Sequence, residues 1–153
     1  MNKYYQNATG KWFVDPIAEN HVGLIKRTEA EFNAGVSAIN KPTIDQLLQR
    51  LTQARKEQER QGVTINGIRY AGDPSNRQAM QEALAFMDDV GLTEFPSWKD
   101  SDDQFHANHP LIDVFDAYRA IGVRRSSLIA TEGQYATQII AGTLTDLSEV
   151  TWP

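Results

Sequence analysis

His106 and His109 stand three residues apart, just after Asp100, Asp102 and Asp103, and by type and spacing they are the best candidates in this chain for metal ligands. A stable site needs three or four ligands in fixed geometry. Two histidines flanking Asn108 supply too few, so capping and surface solvation are their expected roles. Asp100-Ser101-Asp102-Asp103-Gln104 also begins like a calcium loop. Such a loop needs Gly at its sixth position and Glu at its twelfth, where this chain has Phe105 and Leu111. No metal is expected.

Other chemistry fares no better. There is no cysteine, which excludes disulfides, thiolate ligands and cysteine nucleophiles together. Asp88-Asp89 and Asp113/Asp116 are paired carboxylates, but acid–base work needs an apolar pocket that separates the two pKa values. On an amphipathic helix such pairs face solvent by default. Arg124-Arg125-Ser126-Ser127 has groups that suit an anion, yet it reads first as a solvated helix face. No nucleophile elbow, phosphate-cradling Gly loop or dinucleotide fingerprint occurs. The expectation is a protein that is not an enzyme, with no catalytic residues and no cofactor.

Composition narrows the partners. The chain has 153 residues, 41% hydrophobic and 23% charged, which suits one domain, or a compact domain with a small N-terminal appendage. A net charge of −5 argues against a general nucleic-acid or anionic-membrane binder, since either needs a basic surface. No apolar run approaches the ~20 residues of a membrane span. Residues 1–7 lack the apolar core of a secretion signal, so none is expected.

The elements that must position these residues give an α+β, mostly helical fold. Gly62-Val63-Thr64-Ile65-Asn66-Gly67-Ile68-Arg69-Tyr70 reads as a hairpin, because Asn-Gly is the preferred pair for a type I′ turn. Its apolar face, Val63, Ile65, Ile68 and Tyr70, must pack onto helices. Thr28 and Glu31 form a capping box ahead of a short helix, and Thr43 and Gln46 repeat that signal. Helices are predicted near 43–60, 74–90 and 109–141, with a second short extended pair near 96–106. The second half of the first of these helices, from Arg55 to Gln61, reads as a solvated arm. Gly122 and Gly133 are expected to mark close packing or a kink in the long helix. The predicted core is Leu84, Met87, Trp98, Phe105, Phe115, Tyr118 and Leu128, with Leu144, Leu147 and Trp152 docking back. Two parts follow: a small aromatic module over 1–40 and a helix–hairpin–helix domain over 41–153. Within the first part, residues 1–27 precede the capping box and read as dispensable for folding the rest.

Tyr4, Tyr5, Trp12 and Phe13 flank an Asn7-Ala8-Thr9-Gly10 turn and predict a small N-terminal hairpin. Two roles are open for these side chains. They form a private stabilising cluster, or they are rigid anchors that bind a partner at low entropic cost. The second makes Tyr4, Tyr5, Trp12 and Phe13 the candidate partner-binding residues.

Two blocks carry a resemblance. "YYQNATGKWFVDPI" followed by "IKRTEAEFNA" is similar to the opening of phage tail-fibre assembly proteins. From about Ala54 to Pro153 the chain resembles a domain-of-unknown-function family found in phage and prophage tail gene clusters. The landmarks of that block are Gly62 to Tyr70, the Asp73-led helix, Trp98 to Phe105, the long helix and Trp152-Pro153. The chain departs from the pattern in its acidic Asp100–Asp103 loop and in the short segment joining the blocks. The resemblance implies a non-enzymatic tail accessory protein that assists assembly or attachment of the tail fibre. It would act in the bacterial host cytoplasm during assembly. Alternatives are a tail-tip or baseplate subunit in the virion, or a small phage protein that inhibits a host defence or regulatory protein. The implied partner is the tail fibre or another tail protein, with a homo-oligomer left open and no nucleic acid or membrane.

Overall fold

The computed structural model describes residues 3–15 and 24–153; positions 1–2 and 16–23, part of the N-terminal reading, lie outside the described residues. The chain divides into two compact units, Met1–Thr43 and Ile44–Pro153.

In the first unit, β1 (Lys3–Asn7), β2 (Trp12–Asp15) and β3 (Leu24–Arg27) form an antiparallel sheet in the order β2-β1-β3. The predicted hairpin is present. Asn7 Oδ1 accepts from the Thr9 and Lys11 amides at 3.1 and 2.8 Å, and Gly10 takes a φ of +83°. This Asx-turn places Tyr5 opposite Phe13 and Tyr4 opposite Val14. β3 was not foreseen. Helix α1 (Glu29–Ile39) starts on the predicted capping box: Thr28 Oγ1 accepts from Glu31 N at 3.1 Å, and Glu31 Oε2 accepts from Thr28 N at 2.8 Å.

The second unit runs α2 (Ile44–Gln61), β4 (Val63–Ile65), β5 (Ile68–Tyr70), α3 (Pro74–Val90), β6 (Glu94–Lys99), β7 (Phe105–Pro110) and α4 (Leu111–Ile140). The fold is α+β, as the patterning predicts. Val63, Thr64 and Ile65 pair with Tyr70, Arg69 and Ile68. Asn66 and Gly67 sit at φ +49° and +83°, as a type I′ turn demands. α4 begins two residues later than predicted, because β7 continues through Pro110. Asp73 Oδ1 accepts from the Ser75 and Asn76 amides at 3.1 and 3.2 Å and so opens α3.

α4 is the spine. Its first half packs Val114, Ala117 and Ile121 against Tyr70 and Met80, with Val63, Ile65, Ile68, Leu84, Phe95 and Trp98 around them. Its second half holds Ile139 against Leu47 and Leu51 of α2 and Leu144 of the tail, with Leu147 and Trp152 packed alongside. The hairpin face and the tail therefore dock as predicted.

Three expectations need correction. Among the predicted core residues, Met87 and Leu128 are buried, while Phe105 is 73% exposed and Phe115 42%. The α4 core stripe runs through Val114, Ala117 and Ile121, one step round the helix from Phe115, whose ring instead lies 5.6 Å beneath the Arg119 guanidinium. Gly122 and Gly133 are open: a Cβ at either would meet nothing within 4 Å, so neither marks close packing. The Arg55–Gln61 arm is not fully solvated, since Arg55 pairs with Glu132 of α4 and Glu59 with Arg77 of α3 and Arg125 of α4.

Candidate functional site

Successive strand residues point to opposite faces, and this separates the four N-terminal aromatics into two pairs. Tyr4 and Trp12 face α1. Their rings lie 4.9 and 5.9 Å from that of Phe32, and a Cβ on Gly35 would fall 2.1 Å from the Trp12 indole. The indole therefore rests on the helix backbone, where only glycine leaves room. Tyr5 and Phe13 are direct cross-strand partners on the other face, and both are half-buried. Lys26 pairs with Tyr5 from β3, and Lys11 holds its ammonium 5.5 Å over the Phe13 ring. This second face combines flat apolar area with positive charge, a composition suited to an acidic, apolar partner segment.

In the second unit, the histidines are not the surface pair predicted. His109 is 2% exposed, with Nε2 2.6 Å from Tyr70 Oη and its ring stacked on Trp98 at 5.7 Å. His109, expected at the start of the long helix, lies instead in β7, where Asn108 at φ +49° breaks the two-residue alternation, and His109 stacks on Trp98 while Phe105 stays outside. Burial raises the Tyr70 hydroxyl pKa to about 12, with Asp113 and Asp100 adding to it, so it stays protonated while it shares a hydrogen bond with His109 Nε2. Burial likewise lowers the His109 pKa, and only the Asp113 charge opposes this. The pair is enclosed, so it ties β5 to β7 rather than meeting a substrate.

A pH dependence follows. A histidine whose folded pKa is depressed contributes stability that is full above its unfolded value, about 6.5. That contribution declines as the pH falls below 6.5 towards the folded value. Urea denaturation should therefore show lower stability at pH 5.5 than at pH 7.5, and H109N should show a smaller difference between them. An equal pH difference in both proteins would show that His109 is not responsible.

The acidic loop is also committed internally. Asp100 accepts from the Asp102 and Gln104 amides and pairs with His106 at 2.8 Å, which holds its carboxyl below the usual range. Asp102 binds Arg69 at 2.6 Å, and Asp103 pairs with Lys99 at 2.5 Å. Asp113 accepts from Asn66 at 3.0 Å. Among the described residues, no three His, Cys, Asp or Glu gather as metal ligands, and no helix is long and apolar enough to cross a membrane.

A polar cluster absent from the sequence reading centres on Glu59, whose side chain is 7% exposed. Its carboxylate binds Arg55, Arg125 Nε at 3.3 Å and Arg77 Nη1 at 3.6 Å, and Arg55 also binds Glu132. The i,i+4 spacing of Arg55 and Glu59 was the visible signal for it.

The arrangement of α2, two hairpins and the α4 spine defines a helix–hairpin–helix domain. The model of a family described as a domain of unknown function (DUF4376) matches residues 43–151, and this chain belongs to that family. No curated protein and no solved structure matches the chain. The family match spans the second unit and leaves the aromatic sheet outside it.

Proposed function

We propose that this chain is a non-enzymatic phage tail accessory protein, in which the DUF4376 domain is a scaffold and the N-terminal sheet docks to the tail fibre or another tail protein. It would act in the host cytoplasm while the tail is assembled. The observation that carries the reading is the placement of Tyr5 and Phe13 side by side on the sheet face turned away from α1, flanked by Lys11 and Lys26. The resemblance of residues 4–17 and 25–34 to tail-fibre assembly proteins supplies the partner. Fibre chains present long unpaired strands before they assemble, and a small binder shields such edges from aggregation.

The test is binding of the full chain to the tail protein encoded beside it. Phe13→Ala and Tyr5→Ala should each weaken association by about 2 kcal/mol while thermal stability changes little. Trp12→Ala should instead lower the stability of the first unit. Full binding by residues 44–153 alone would overturn sheet docking and move the interface to the family domain. The cut belongs at 43/44, not 27/28, because α1 shares its Phe32 packing with Tyr4 and Trp12. Presence at fixed stoichiometry in purified virions would identify a tail subunit, and absence an assembly factor. A host inhibitor would use the acidic Asp100–Asp103 loop with Asp113 and Asp116 against a basic surface, and of these Asp100, Asp102, Asp103 and Asp113 already have partners within the domain.

A further inference from the structure

The geometry points to a binding cleft for a small phosphate monoester on the DUF4376 domain, where Arg77, Arg125, Lys56 and Arg60 converge beside Glu59. The cleft holds about 330 Å³ between α2, the start of α3 and α4. That is near the lower end of the ~300–1,000 Å³ typical of small-ligand sites. Its walls carry five cationic side chains, these four and Arg55, against the carboxylates of Glu59 and Asp73, a surplus of three positive charges. Glu57 and Glu132 pair with Arg60 and Arg55 from outside the walls; counting them as well still leaves a surplus of one. This sign is opposite to the chain's net −5.

The donors are also in excess. A guanidinium has five N–H groups. Arg125 reaches Glu59 through Nε alone, and its terminal nitrogens meet no protein acceptor among the described residues, with the side chain 45% exposed. Arg77 uses Nη1 for both Glu59 and the Gly72 carbonyl, which leaves Nε and Nη2 for a ligand. Glu59 holds the three arginines in place, acting as a positioning residue. Asp73 is occupied elsewhere: it accepts from Ser75 and Asn76 at the start of α3 and, despite the opposing effect of burial, lies at about 2.

The neighbouring cleft of about 490 Å³ makes the contrast. There Arg60, Arg69 and Lys99 face Asp73, Asp100 and Asp103, so the charges cancel. Of these two clefts, the Glu59 cleft is the one with charge left over. A doubly charged tetrahedral anion suits such a surplus better than a single carboxylate, since a phosphate monoester carries about −1.5 to −2 at pH 7 and three acceptor oxygens.

Calorimetric titration of the full chain with inorganic phosphate, phenyl phosphate and glutarate, at constant ionic strength, tests the site. Saturable binding of at least one phosphate is expected. Arg125→Gln should weaken it about tenfold, and Lys56→Gln, an exposed change that leaves Glu59 paired, should weaken it measurably. Tighter binding of phenyl phosphate would identify an ester as the occupant, and tighter binding of inorganic phosphate the free ion. No saturable phosphate binding, undiminished binding in folded Arg125→Gln, or glutarate binding as tightly as phosphate would each overturn the assignment. The site shares no residue with the Tyr5–Phe13 face, so its failure would leave sheet docking untouched.

Discussion

Gly62→Ala should destabilise the DUF4376 domain by about 4 kcal/mol or more, an exceptional value for the addition of one methyl group. Gly62 follows the last residue of α2 at φ +69°, a region that side chains rarely adopt. A Cβ there would fall 1.8 Å from the Tyr70 carbonyl oxygen and 2.8 Å from Ala71 Cα. Both obstacles are backbone, so no rotamer change can relieve the clash. Gly72 meets the same crossing from the other side, with its would-be Cβ 2.3 Å from the Glu59 carbonyl. The end of α2 and the end of β5 thus touch main chain to main chain. Gly67 is the control: it also has positive φ but nothing within 4 Å, so Gly67→Ala should cost only about 1 kcal/mol. Equal urea midpoints for the two variants would refute the steric account.

Glu59→Ala should be the second large effect, about 3 kcal/mol by thermal or urea denaturation. Removing one member of a buried charge cluster leaves the others desolvated and unpaired, which typically costs about 3–5 kcal/mol. Arg55 and Arg77 are 12% and 22% exposed, whereas Arg125 keeps contact with water, which argues for the lower end. Glu59→Gln keeps the shape and one acceptor oxygen and should lie between the variant and the parent. A melting temperature for Glu59→Ala within a degree of the parent would mean that the arginines repack into solvent at no cost.

Local chemistry made part of the fold readable. Asn66-Gly67 fixes both the hairpin and its register, because turn type dictates which residues face each other. Thr28 and Glu31 mark a helix start by side chains three residues apart. Features decided at long range stayed hidden. β3 pairs with β1 across some twenty residues of chain, and nothing in Leu24-Ile25-Lys26-Arg27 announces its partner. Arg77 and Arg125 join Glu59 from two other helices, so the Glu59 cluster looked like a solvated arm when α2 was read alone. His109 was misplaced because Asn108-His109-Pro110 has the look of a helix start, whereas β7 continues through Pro110 and buries the imidazole against Trp98. The N-terminal aromatics were half readable: the Asn7–Gly10 turn between them predicts the hairpin, but only strand register separates Tyr5 and Phe13 from Tyr4 and Trp12.

The two-ended packing of α4 also sets a timetable for biosynthesis. A 30-residue helix spans about 45 Å, so the clusters at its two ends are separate seams. The first seam draws on residues 63–121, which leave the ribosome consecutively. The second joins Leu47 and Leu51 to Ile139 and Leu144, so α2 must wait for some ninety further residues. At about 5–20 residues per second of translation, its apolar side stays uncovered for roughly 4–18 s. During that interval the nascent chain offers Leu47, Leu48 and Leu51 to chaperones or to a neighbouring nascent copy, and the closing tail ends that exposure.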